Sequence, residues 1–236
     1  MISAASRCDN HPVREVVDGV FELRLGYVNV HVVVTDHGVV LIDTGLPGRS
    51  PLIERGLRQI RRPLGEVTTI LVTHHHPDHV GSLADLRRRT GARVIAHAAD
   101  APDITGANPP APPAGLVGKL AARLIGTVEP TKIDQLVTAD GSEPIPGFTA
   151  LHTPGHTRGH LSYLLARSGG VLFAGDAAAA RRGRVTAPPR LVTADPARAG
   201  HSLARLAELE FEHAVFGHGR ALSGMAVEAF RKAVAG

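Results

Sequence analysis

Between Val13 and Asp43 the chain is a series of short runs rich in valine and leucine, separated by turn signals at Asp18-Gly19, Gly26 and Asp36-His37-Gly38. Runs punctuated this closely predict a meander of antiparallel strands. The period then changes. In SPLIERGLRQIRR the apolar residues Leu52, Ile53, Leu57 and Ile60 recur at helical spacing, with Ser50 expected as N-cap and Pro51 as the first helical residue. VTTILVT predicts a short buried strand ending at Thr73, the region from His79 to Thr90 a helix, and ARVIAHA another strand.

After Ala139 the alternation resumes. Strands are expected in FTALHT, LSYLLA, GVLFAG and HAVFG, and helices in PARAGHSLARLAEL and SGMAVEAFRKAVA. Between the two halves, residues 101–126 include four prolines in the five positions from Pro109 to Pro113. Proline at that density rules out a regular helix or a central strand, so the segment reads as an insertion. Its second part carries Leu116, Val117, Leu120 and Leu124 at helical spacing, an apolar stripe suited equally to a lid and to a plain packing helix. At 236 residues the whole is compatible with one α/β domain.

Composition narrows the class. Hydrophobic content of 43% and charged content of 20% are those of a soluble globular chain. The net charge of +4 comes from scattered arginines, and an aromatic content of 3% offers no platform for stacking bases, so nucleic acid is not an expected partner. A lone cysteine, Cys8, excludes an internal disulfide framework. No apolar run suits a signal peptide or a membrane span, which gives a cytoplasmic expectation and no membrane partner.

The chemistry begins at LVTHHHPDHVGS. His74, His76, Asp78 and His79 form H-x-H-x-D-H on a strand-to-helix loop, a set of nitrogen and oxygen donors suited to zinc, and also to iron or manganese. Strand alternation puts His74 and His76 on one face and turns His75 away, while Pro77 turns the chain so that Asp78 and His79 can point back. One such loop does not complete a hydrolytic site, so further donors must come from distant segments. His156 in LHTPGHTRGH, Asp176 in LFAGDA and His218 in VFGHG each stand where an apolar strand meets a glycine-rich turn. Loops at strand ends, carried by a rigid sheet, are where such a site is expected.

In this order VVLIDTG, THHHPDH, TPGHTRGH, LFAGD and FGHG resemble the motifs of the metallo-β-lactamase superfamily of metallohydrolases, over nearly the whole chain. The resemblance implies a four-layer αβ/βα sandwich with two divalent metal ions, zinc or else iron or manganese, at one edge of paired sheets. It implies that His74, His76 and His156 hold the first metal, that Asp78, His79 and His218 hold the second, and that Asp176 and a hydroxide bridge them. Asp78 and Asp176 become the catalytic carboxylates. Asp43 and His160 are expected behind the ligands, orienting them, since a ligating imidazole needs an acceptor for its other N–H.

The superfamily hosts several chemistries, so membership alone does not name a substrate. An aspartate at position 176 resembles the thioesterase and lactonase branches more than β-lactamases. The sequence after it, DAAAARRGR, lacks the tyrosine of acyl-homoserine lactonases. Glyoxalase II enzymes usually continue into a helical glutathione-binding region, whereas this sequence ends soon after His218. The ribonuclease members carry extra domains or an exosite arm. The expectation is therefore a hydrolase of a small-molecule ester, thioester or lactone, with an iron-dependent persulfide dioxygenase using His74, His156 and Asp176 as the alternative. Residues 101–126 and the segment after Asp176 are expected to wall the substrate groove, with Arg181 and Arg182 holding an anionic group on the substrate.

Overall fold

A computed structural model describes residues 13–108 and 126–235 of the protein. The expected apolar stripe from Leu116 to Leu124 lies outside those residues. Seven strands form the first sheet in sequence order: β1 (Val13–Val17), β2 (Val20–Leu25), β3 (Val28–Thr35), β4 (Gly38–Ile42), β5 (Val67–Leu71), β6 (Arg93–His97) and β7 (Gln135–Val137). The meander from β1 to β4 is antiparallel, and β4 to β7 run parallel. The change follows from the connections, because parallel neighbours need a crossover and the long segments begin after β4.

The second sheet has the order β15 (Leu222–Ser223), β14 (His213–Val215), β11 (Val171–Phe173), β10 (Leu161–Leu165), β9 (Phe148–His152) and β8 (Ser142–Ile145). A separate hairpin pairs β12 (Ala179–Arg181) with β13 (Arg184–Thr186). Among the described residues the α-helices are α1 (Ser50–Gln59), α2 (Pro77–Val80), α3 (Leu83–Thr90), α4 (Ala101–Thr105), α5 (Pro196–Leu206) and α6 (Ala226–Ala235).

Strand alternation sorts the buried side chains into three apolar layers. In β4, Val39 and Leu41 face the helices α1 and α3 with Ile53, Leu57, Leu83 and Leu86, whereas Val40 and Ile42 face the second sheet. Successive residues of a strand point to opposite faces, so one uninterrupted apolar run can fill two cores. The layer between the sheets packs Ile42, Leu71 and Ile95 against Phe148, Tyr163 and Phe173. On the far side Leu172 and Ala214 meet Leu203, Leu206 and Phe230 of α5 and α6. Helix, sheet, sheet and helix therefore stack as the four expected layers.

Two details differ from the sequence pattern. Helix α1 begins one residue early, so Arg49 is the N-cap and Ser50 is the first helical residue. The Arg49 N–H donates to Ser82 Oγ at 2.8 Å, a partner from a distant segment that no local capping rule anticipates. The segment predicted to lack regular helix also opens with the short helix α4, whose Ile104 is buried in the first core.

The sheets are joined at one edge. Thr73 O accepts from the Leu161 N–H at 2.8 Å, Val72 O accepts from the Tyr163 hydroxyl at 2.9 Å, and the Asn29 side chain donates to Phe216 O and Gly219 O at 3.0 and 2.8 Å. These bonds tie the end of β5 to β10 and the loop after β14 to β3.

Candidate metal centre

Each candidate donor follows the C-terminal end of a strand. His74 and His76 follow β5, with Asp78 and His79 on α2; His156 follows β9, Asp176 follows β11, and His218 follows β14. The structure brings all seven into one cluster. Three sets of donor atoms each lie within 4.8 Å of one another: His74, His76 and His156; His74, His79 and Asp176; and Asp78, His79 and His218. His76 Nδ1 lies 3.1 Å from His74 Nε2 and 2.9 Å from His156 Nε2. Asp176 Oδ2 lies 3.4 Å from His156 Nε2 and 3.2 Å from His218 Nε2, so its carboxylate stands between the two ends of the cluster.

The residues behind these donors decide which way the imidazoles face. Asp43 Oδ2 accepts from His79 Nδ1 at 2.8 Å and from the Thr73 hydroxyl at 2.7 Å, while Oδ1 accepts from the Thr73 N–H. Asp43 adopts this position with φ of 61°, a backbone region that aspartate tolerates better than most residues. Because the Thr73 hydroxyl is already donating, His74 Nδ1–H donates to its oxygen, at 3.0 Å. Likewise the Thr193 hydroxyl donates to Pro189 O and accepts from His156 Nδ1–H at 3.4 Å, and His218 Nδ1–H donates to Tyr27 O at 2.9 Å. This network leaves Nε2 of His74, His79, His156 and His218 directed into the cluster.

His160 is equally buried but works differently from the sequence expectation. Its Nε2 accepts from the Asp176 N–H at 2.9 Å, and its Nδ1–H donates to the Thr153 hydroxyl at 2.8 Å. It therefore holds the backbone of Asp176 rather than accepting from an imidazole. Its pKa is pushed down to about 3, by burial first and by His156 next.

The electrostatics mark where a cation belongs. Burial pushes His74 well below its usual range and His76 to about 3, and the neighbouring imidazoles add to both shifts. These rings stay neutral and keep their lone pairs. His79 is the reverse case: burial alone would lower its pKa, but Asp176 and Asp43 outweigh that and raise it to about 9. With Nδ1–H given to Asp43, His79 Nε2 faces Asp176 Oδ1 at 3.5 Å, and both atoms are buried without a hydrogen-bond partner. An imidazole nitrogen and a carboxylate oxygen facing each other in a dry site call for a positive charge between them, a proton in the metal-free chain or a cation in its place. The donor set of imidazoles and carboxylates fits a divalent metal.

Close approach explains one glycine of FGHG. A Cβ on Gly217 would stand 2.2 Å from Asp176 Oδ1 and 2.6 Å from His79 Cε1. Only glycine lets the loop after β14 pass this near the carboxylate.

Other residues fall outside the cluster. His75 turns away, as alternation predicts, and its N–H and Nδ1 lie 3.1 and 3.0 Å from Asp100 Oδ2. Asp100 itself has no motif in the sequence, yet it is buried and accepts from the Thr157 hydroxyl and the Gly159 N–H. Its carboxyl is held down at about 2: burial would raise it, but His75, Thr157 and Gly159 more than offset that. Arg181 and Arg182 are exposed on the β12–β13 hairpin and neither lines the groove beside the cluster, because strand pairing carries them toward the hairpin turn. Among the described residues the expected anion-holding pair therefore does not meet the site.

The groove over the cluster has a volume of about 580 Å³ and is walled by Tyr27, Pro77, Ala178, Ala179, Pro188, Pro189 and Val192. A cleft of that size suits a small molecule.

The motifs, the paired sheets and the donor cluster correspond to one family, and its model, the Metallo-beta-lactamase superfamily, matches residues 23–218. The chain belongs to the metallo-beta-lactamase superfamily. It is 31% identical over 231 residues to the probable metallo-hydrolase YflN of Bacillus subtilis, an alignment covering 89% of this chain and 87% of that protein. It is 33% identical over 163 residues to the hydroxyacylglutathione hydrolase of Pseudomonas aeruginosa, covering 69% of this chain and 50% of that one. The chain thus spans about half the length of this second relative. Its fold is shared with the subclass B3 metallo-beta-lactamase of Bradyrhizobium japonicum, with a TM-score of 0.69 and 22% identity over 87% of this chain and 77% of that one. Among the described residues no helix is long and apolar enough to cross a membrane.

Proposed function

We propose that the protein is a binuclear metal-dependent hydrolase of an ester, thioester or lactone, with zinc as the working metal. The observation that carries this reading is the position of the Asp176 carboxylate, within 3.5 Å of His79, His156 and His218, joining donor sets that together exceed the needs of one tetrahedral ion. His74, His76 and His156 would hold one ion, Asp78, His79 and His218 the other, and Asp176 both. The relatives named as a metallo-hydrolase and a hydroxyacylglutathione hydrolase support hydrolysis, the second of them of a thioester.

Bound divalent ions supply Lewis-acid pull on a carbonyl oxygen and make water acidic enough to attack near neutral pH. The protein's part is to fix geometry. Asp43, Thr73, Thr193 and Tyr27 O orient the imidazoles, and His160 holds the Asp176 backbone. Asp78, which lines the groove 3.4 Å from His218 Nε2, is the carboxylate open enough to take the proton that the attacking water loses and hand it to a departing alkoxide or thiolate.

The test is metal content measured alongside activity on a panel of esters, thioesters, lactones, a β-lactam and glutathione persulfide. Two ions per chain with carbonyl hydrolysis is the expected result. One iron per chain with oxygen consumption on the persulfide overturns the reading in favour of a dioxygenase.

A further inference from the structure

We infer that the groove selects substrates whose acyl or ring portion is neutral and apolar, and that Tyr27 and Val192 set this preference. The inference rests on the hydrolase reading for its chemistry, but its evidence lies in the walls.

Those walls, among the described residues, carry no cation. Among the described residues lining the groove, the only formal charges are Asp78 and Asp176, which belong to the donor cluster, and the remaining surface is imidazole, proline, alanine, valine and tyrosine. A substrate carboxylate pressed against Pro188, Pro189 and Val192 would lose its water and gain no partner there. Apolar surface is also exposed where a soluble protein has a reason to hide it. Six large hydrophobic side chains are exposed among the described residues, and three of them, Tyr27 at 57%, Leu191 at 96% and Val192 at 51%, stand around the cluster. Tyr27 and Val192 line the groove itself and Leu191 lines the adjoining pocket beside His76 and His156, and apolar exposure gathered around one cluster marks a binding surface.

The walls are also fixed to the donors they flank. The Tyr27 ring stacks on the His218 ring with centroids 5.7 Å apart and planes 5° apart, while the Tyr27 carbonyl accepts from the same imidazole. On the opposite wall Val192 ends the turn Arg190–Val192 that follows Pro188-Pro189, and the next residue, Thr193, accepts from His156. Ala194 N–H donates to His156 O at 3.2 Å. Each apolar wall thus shares backbone with the group that orients a donor, one on each side of the cluster. An acyl chain entering between them meets surfaces already in place and loses little to ordering them. Each methylene it buries should raise kcat/KM by up to about fourfold, the equivalent of about 0.8 kcal/mol.

Two measurements test this on the metal-loaded chain. In the first, kcat/KM is compared for p-nitrophenyl acetate, butyrate and hexanoate, and for p-nitrophenyl hydrogen glutarate, whose acyl chain ends in a carboxylate. The expected result is a rise from acetate to hexanoate and at least a tenfold disadvantage for the glutarate. Tyr27→Ala and Val192→Asp should each flatten the hexanoate-to-acetate ratio, with Val192→Asp lowering hexanoate most. The second uses fluorescence. The chain has no tryptophan and two tyrosines, of which Tyr163 is fully buried, so acrylamide quenching reports Tyr27. Hexanamide should protect Tyr27 from acrylamide, and 6-amino-6-oxohexanoate should not. Hydrolysis with no acyl discrimination, or with the glutarate preferred, overturns the inference and leaves the hydrolase reading standing. Protection by hexanamide with no ester, thioester or lactone turned over keeps the apolar groove and overturns the hydrolase reading.

Discussion

His160 accepts a hydrogen bond from the Asp176 N–H, and through Thr153 it is tied to Ser162 and then to Ala174 O, so the loop carrying the central carboxylate is held by a polar chain threaded through β10. His160→Ala removes the acceptor and leaves a buried N–H unpaired, at a cost of about 1–3 kcal/mol. The melting temperature of the metal-free protein should fall by roughly 2–12 °C. His160→Gln, which can restore an acceptor, should recover part of that loss. Equal melting temperatures for wild type and His160→Ala in chelator would show that the bond holds nothing.

Asp176→Ala should leave the fold intact and lower turnover by several orders of magnitude. The carboxylate packs against donors rather than against apolar core, so far-ultraviolet circular dichroism should be unchanged while metal content falls below two ions per chain. A folded variant with near-normal hydrolysis would remove Asp176 from the reaction.

Asp100 links the two loops that supply the first three imidazoles. It accepts from His75 N on the loop after β5, and from Thr157 and Gly159 on the loop after β9, and a Cβ on Gly159 would stand 2.6 Å from Asp100 N. Asp100→Asn keeps the size but puts an amide where three donors converge. Metal affinity, read by competition with a chromophoric chelator, should drop by about 10- to 100-fold, the range usual for residues that orient ligands. An unchanged affinity with a lowered melting temperature would confine Asp100 to stability.

The histidines predict how the metal-free protein responds to acid. His76 and His160 have folded pKa values near 3 against about 6.5 when unfolded, so between those limits the unfolded chain binds more protons than the folded one. Their neutral burial is fully compatible with folding above pH 6.5, and stability is lost as the pH falls from there toward 3. His79, raised to about 9, runs the other way: its contribution is complete below pH 6.5 and is lost as the pH rises through 9. In chelator the melting temperature should therefore decline on both sides of neutrality. A melting temperature that climbs steadily between pH 6.5 and 4.5 would contradict the acid limb.

The same charge on His79 predicts proton release. At pH 7.5 a metal-free His79 holds a proton that an incoming cation must displace, so the apparent enthalpy of zinc binding should vary with the ionisation enthalpy of the buffer. A binding enthalpy independent of buffer would mean that no proton leaves.

What the sequence determined by itself is which candidate residues stand at the strand ends, where the structure gathers them, and the layers that carry them. His74, His76, Asp78, His79, His156, Asp176 and His218 were all legible because each stands beside a strand run that ends in a turn signal, and both features are local. Alternation within Val39–Ile42 is likewise a property of neighbouring residues, and it is enough to place side chains on two faces. The tertiary structure alone decided what surrounds those donors. Tyr27 meets His218 across 191 positions, Asp100 meets Gly159 across 59, and Thr193 meets His156 across 37, and none of these pairs has a spacing that a helix or strand period could reveal. It also carried Arg181 and Arg182 away from the groove. They follow Asp176 closely in sequence, but β12 pairs with β13 and takes them to the turn of the hairpin. Local periodicity states which face a side chain takes; which other segment lies against that face depends on how the sheets pack.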